Sequence, residues 1–200
     1  METKHYLVYV GALVFATTLQ GQPELPPGTW PASRAPAEIR QYVSRADLII
    51  LSMHEALRRE LTGALDQGGP AFAINSCHID VIGATQRIAR GEWVAAGRTS
   101  DRLRNPTNIP PKWAAPLVRA NAGQRVHDVE GYAVDLGPTV GVLRPIAQQP
   151  MCASCHGPAD KIDPRVRKVL AERYPADKGL GFTDGEIRGW FWVEVPKRLR

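Results

Sequence analysis

Two thiols and an imidazole fall within five consecutive residues, Cys152-Ala153-Ser154-Cys155-His156. Cysteines three apart, followed at once by histidine, have the spacing by which a chain attaches a c-type haem. Each thiol can reach one porphyrin vinyl group and form a thioether. The adjacent histidine is then held beneath the iron as its ligand. Other chemistries use parts of the same pattern. A redox-active dithiol also reads C-x-x-C, but it normally opens a helix after a strand in a βαβ unit, and no such unit surrounds these residues. A zinc site would need further ligands such as Cys77 or His78. A disulfide between Cys152 and Cys155 would close a very small loop. The expectation is therefore one haem c, bound covalently through Cys152 and Cys155, with His156 on the metal.

The opposite axial ligand is less legible. Methionine is usual in electron-transfer cytochromes c, and the chain has only Met1, Met53 and Met151. None follows the attachment motif, which disfavours the layout of an ordinary small cytochrome c. His54, His78, His127 and Cys77 are the other candidates. With Ile74 at zero on a helical wheel, Cys77 falls near about −60° and His78 near about +40°. The apolar stripe passes between them, so periodicity does not choose. Free cysteine often serves as a small buried hydrophobe. Here, however, haem would consume the other two cysteines and leave Cys77 unpaired. Met53 reads as core, and His54 and His127 as solvated or hydrogen-bonded side chains.

Several elements must position these groups. Ile39, Val43, Ala46, Ile50, Met53, Leu57, Leu61 and Ala64 recur at steps of three and four, which predicts a long helix over 36–67. Gly68-Gly69 stops it, and Pro70 is well placed in the first turn of a second helix running to Gly91. A short glycine link between two helices predicts an antiparallel hairpin over about 36–90. After Gly91 the pattern changes. Residues 93–96, 126–134, 139–146 and 190–195 carry β-rich segments separated by turn residues. Short helices are expected from Trp113 and over 163–172, where Asp163 can cap and Pro164 can begin the helix. The fold class is α+β: an antiparallel sheet, built mainly from 126–146 and 186–195, preceded by a helical hairpin.

Four segments, GRTSDRLRNP (97–106), LRPI (143–146), CASCHGP (152–158) and GLGFTDGEIRGWFWVEVP (179–196), give a closer identification. In their order the chain resembles a family of exported or periplasmic c-type haem domains with a PAS-like fold. Members occur alone in some bacteria and as sensor modules of histidine kinases in others. The resemblance runs from the first long helix to the end. It implies that a cysteine on an N-terminal helix is the distal haem ligand, opposite the histidine of C-x-x-C-H. The matching position is Cys77 within AINSCHID (73–80), with His78 directly beside it as the competing ligand. Arg98, Arg102 and Arg104 of the first segment are candidates to hold haem propionates, because guanidinium forks match carboxylates.

Lys4 and His5 precede an apolar run from Tyr6 to Leu19, short for a membrane span and suited to a signal-peptide core. The expected organisation is a signal peptide at 1–21, a proline-rich linker at 22–35 and a single haem domain over 36–200. Removing 1–21 takes one lysine and one glutamate and leaves the net charge at +5. The arginines are scattered, so nucleic acid is not the expected partner. Haem propionates, a membrane surface or an acidic partner suit the charge better. The expected role is a redox- or ligand-responsive sensor, able to take a small gaseous ligand and passing its signal to a separate protein. A periplasmic electron carrier is the alternative. No catalytic residue is assigned. A haem peroxidase would need distal acid–base groups, for which His78 and Asp80 are the only candidates.

Overall fold

The computed structural model describes residues 25–198, without the side chains of 76–82. Helix α1 (Ala37–Gly91) is two arms joined at a break, where Gly68 has φ −157 and ψ 15 and Gly69 has φ 69 and ψ −170. Both glycines are required there. A Cβ on Gly68 would lie 2.6 Å from Cβ of Phe72, and Gly69 takes the left-handed region that side chains avoid. The arms return antiparallel: Arg45 donates from Nη2 to the Glu92 carbonyl at 2.7 Å, although the two residues lie roughly equidistant from the break on opposite sides. The hairpin read from the apolar spacing is thus the observed one.

The arms cover one face of a five-stranded antiparallel sheet. Its strands are β1 (Thr29–Pro31), β2 (Ala95–Thr99), β3 (Tyr132–Asp135), β4 (Thr139–Ala147) and β5 (Ile187–Pro196), in the order β1-β3-β4-β5-β2. Alternation decides what each face buries. Val140 and Val142 of β4 and Phe191, Val193 and Val195 of β5 pack against Ile39, Val43, Ala46, Ile50 and Met53 of α1. Leu143 and Trp190 point to the other face, against Leu117 and Val118 of the short helix α2 (Ala115–Ala120). A third cluster joins Ile74 of the second arm to Val166, Leu170 and Tyr174, in and just after helix α4 (Pro164–Arg173). Asp163 caps α4 as its sequence implies, accepting from the Arg165 N–H at 2.7 Å. No helix among the described residues is long and apolar enough to cross a membrane.

Two expectations need revision. Within the expected linker, Thr29–Pro31 is not loop: it pairs with β3 as an edge strand, a position where proline's missing N–H is tolerated. The strand expected over 126–134 begins only at Tyr132, and Val126–Asp128 forms a 3-10 turn instead. Gly131 turns the chain there with φ 93, and any side chain on it would collide with the Leu143 carbonyl.

Candidate functional site

The thiols and imidazole sit just beyond the end of β4. A 3-10 turn (Pro150–Cys152) leads into the one-turn helix α3 (Ala153–His156), closed when the Gly157 N–H donates to the Ala153 carbonyl at 3.0 Å. Cys152 and Cys155 are free thiols, each half-buried, and burial pushes the Cys155 thiol up. No disulfide joins them. Among the described residues no three His, Cys, Asp or Glu side chains come together as a metal cluster.

A glycine-rich loop holds this turn. The His156 carbonyl accepts from the Phe182 N–H at 3.0 Å and the Gly157 carbonyl from the Gly181 N–H at 2.9 Å. His156 Nδ1 lies 2.9 Å from the Gly179 carbonyl oxygen. A carbonyl can only accept, so Nδ1 carries the proton. Burial holds the imidazole well below its usual pKa, and the nearby charges of Arg188 and Arg104 act in the same direction. The ring is therefore neutral, and Nε2, 3.5 Å from Arg104 Nη1, carries the acceptor lone pair. Ligating histidines take this form, with one nitrogen anchored by its proton and the other available to a metal.

Arginines and aromatics fix the surroundings. Arg104 donates from Nε to Asp177 at 3.0 Å and from Nη2 to the carbonyls of Cys155 and Gly179, while Nη1 lies 3.5 Å from His156 Nε2. Arg102 pairs with Glu186 and lies over the Phe182 ring, 3.5 Å from its centroid. That ring meets His156 edge-on at 6.3 Å. Arg188 reaches the site because β5 carries one extra residue: Ile146 pairs with Gly189 and Ala147 with Ile187, so Arg188 bulges between them. Bulges commonly redirect a side chain beside a site in this way.

These groups border two adjoining hollows. One is a cavity of about 190 Å³ lined by Leu57, Leu61, Ile74, Cys155, His156 and Phe182, among others. The second, about 590 Å³, lies between the first arm of α1 and strands β4 and β5. Cys152, Met151, Ile146 and Arg188 border both. Together they reach the size usual for cofactor sites, about 300–1,000 Å³, with mainly apolar walls and a few convergent polar groups. Thr99, on the wall of the first, has a buried hydroxyl without a partner, which a bound molecule would satisfy.

The residues expected from sequence are distributed unevenly. Cys152, Cys155, His156, Arg98, Arg102 and Arg104 all border the first cavity. Arg102 and Arg104 give their guanidinium groups protein partners, Glu186 and Asp177 among them. Met53 is core at 2% exposure. His54 is exposed, edge-on to Phe191, and His127 is exposed beside Asp128 at 3.3 Å. The side chains of Cys77, His78 and Asp80 lie outside the described residues. Sequence reasoning missed Arg188, Asp177, Phe182, Glu186 and the Gly179 carbonyl. Only Arg188 gave a signal, as the one cation in strand β5.

The model of the Tll0287-like family matches residues 36–196. Among solved structures the chain is similar to the crystal structure of the cyanobacterial haem protein Tll0287. The two are 20% identical and superpose with a TM-score of 0.59, over 80% of this chain and 98% of that one. At that identity the likeness shows the fold, a PAS-like α+β domain. No curated protein sequence matches the chain.

Proposed function

The chain belongs to the Tll0287-like family, and from that premise we propose that it is an exported mono-haem c-type protein acting as a redox- or ligand-responsive sensor. One observation carries the reading. A neutral imidazole, its Nδ1 proton anchored on Gly179, stands beside two free thiols at C-x-x-C spacing on the wall of a cavity. The donor set is that of haem c, and the unsatisfied Thr99 hydroxyl and apolar walls suit such an occupant.

Cys152 and Cys155 would hold the haem as thioethers, and His156 Nε2 would bind its iron. Arg98 and Arg188 line the cavity and their charges both act on His156; with Arg102 and Arg104 they would offer positive charge to the anionic propionates. The haem, when bound, supplies a one-electron iron couple and an exchangeable axial position. Cys77 is proposed as the second axial ligand on the family resemblance, with His78 as its rival.

Sensing is favoured over simple electron transfer by the support of the ligand-bearing arm. That arm turns at Gly68-Gly69 and meets α4 through Ile74 and through Arg173, whose Nε donates to Asn75 at 2.7 Å. Loss of a ligand on such an arm would let it shift against α4, a two-state element that a partner protein could read. The apolar run Tyr6–Leu19 supports export.

The full chain, produced in a host with haem-attachment machinery, should keep its pigment after denaturation. Cys152→Ala with Cys155→Ala should lose it. Pigment extracted from the wild type by acid acetone would overturn covalent attachment. Stopped-flow reduction separates the roles: a sensor changes its axial ligands, and a carrier with constant ligands would refute sensing.

A further inference from the structure

His156 does not hold its anchor alone. The Gly179 carbonyl accepts both the His156 Nδ1 proton, at 2.9 Å, and Arg104 Nη2, at 3.0 Å. Asp177 closes the circuit, accepting Arg104 Nε on one oxygen at 3.0 Å and the Gly179 N–H on the other at 2.7 Å. Arg104 also binds the Cys155 carbonyl. One guanidinium thus ties the residue before the histidine to the residue that anchors its ring. The pair is well shielded, the Arg104 and Asp177 side chains being 14% and 8% exposed, so water screens the charges little.

We propose that Arg104 and Asp177 form a positioning pair that sets how strongly His156 donates to the iron, Arg104 weakening that donation and Asp177 restoring it. This rests on the reading of His156 as haem ligand. Two effects of Arg104 act together. Its N–H competes for the Gly179 oxygen and so weakens the Nδ1–H bond that would make the imidazole more basic. Its positive charge, held near the ring, disfavours the more highly charged ferric state. Asp177 offsets that charge.

The signs of two substitutions therefore oppose. Arg104→Gln should lower the midpoint potential, shifting the ferric-to-ferrous ratio at fixed potential at least tenfold toward ferric, about 59 mV for one electron. Asp177→Asn should raise it. A purely structural role, in which either change loosens the turn, would move both potentials the same way, and that result overturns the proposal. So does an unchanged potential in either variant. Arg104→Lys keeps the charge without the fork and should shift the potential less than Arg104→Gln, and an equal shift would overturn the charge effect. Should Arg104→Gln fail to fold, Asp177→Asn decides alone: a rise supports the pair, and no change or a fall overturns it. Nitrogen NMR of the haem-free full chain gives a second readout, with His156 expected as the Nδ1–H tautomer. The Nε2–H tautomer there would overturn the pair whatever the haem result. Wild-type protein that lacks covalent haem defeats the haem reading instead, and the two failures are distinguishable.

Discussion

Phe182 is the side chain whose removal should damage the site most without touching a ligand. Its ring is 2% exposed, meets His156 edge-on and carries the Arg102 guanidinium 3.5 Å above its centroid. Phe182→Ala leaves a cavity that the surrounding backbone cannot fill, because the Phe182 N–H is fixed to the His156 carbonyl. Phenylalanine-to-alanine changes in cores cost about 3–5 kcal/mol. The lost cation–π face adds about 1 kcal/mol, kept low because Arg102 is partly exposed. A total of about 4–6 kcal/mol in a domain of this size lowers Tm by about 10–20 °C. Phe182→Leu keeps most of the volume and loses only the ring face, so it should cost about 2 kcal/mol. Urea titration at equal haem loading, followed by tryptophan fluorescence and by haem absorbance, measures both. If Phe182→Ala falls within about 1 kcal/mol of the wild type, the loop 179–182 does not support His156 as described, and the reasoning fails.

Gly157→Ala should deform the attachment turn, since the new Cβ would lie 2.7 Å from the Ala153 carbonyl oxygen; crowding of this kind costs about 1–3 kcal/mol, and the yield of covalent haem should fall with the melting temperature. Asp163 is held down to about 2 by its bonds to Arg165, so its contribution to α4 is complete above the unfolded carboxylate range and is lost as pH falls toward 2. Asp163→Asn should flatten that acid limb in pH-dependent melts, and an unchanged limb would show that the cap does not contribute. Cys77→Ala should leave covalent haem intact while changing the ferric spectrum and raising the midpoint potential; an unchanged spectrum would assign Cys77 to the core.

Local chemistry was legible, and long-range pairing was not. The hairpin could be read because its apolar spacing and its Gly68-Gly69-Pro70 break are written in consecutive residues. The same holds for β4 and β5, whose alternation matches the faces they bury, and for the Cys152–His156 motif. β1 was hidden because its three residues pair with β3 a hundred positions later, and proline marks a turn more often than an edge strand. The arginines show the limit most clearly. Arg102 and Arg104 look like free cations in a basic segment, yet their acids, Glu186 and Asp177, come more than seventy residues later. Arg188 could be placed only once the bulge in β5 was known.

The strand order has a consequence for how the molecule is made. β5 lies inside the sheet, bonded to β4 on one side and β2 on the other, and it is the last strand in sequence. Synthesis therefore delivers the sheet's keystone after the other four strands. While β5 is still unmade, β2 has no partner, the loop that grips His156 is just arriving, and the closure of so many distant contacts must wait. The Cys152–His156 segment is translated before its own clamp. A nascent chain thus presents both thiols before their clamp exists, and arrival of the 179–182 loop and of β5 converts that open segment into a rigid wall.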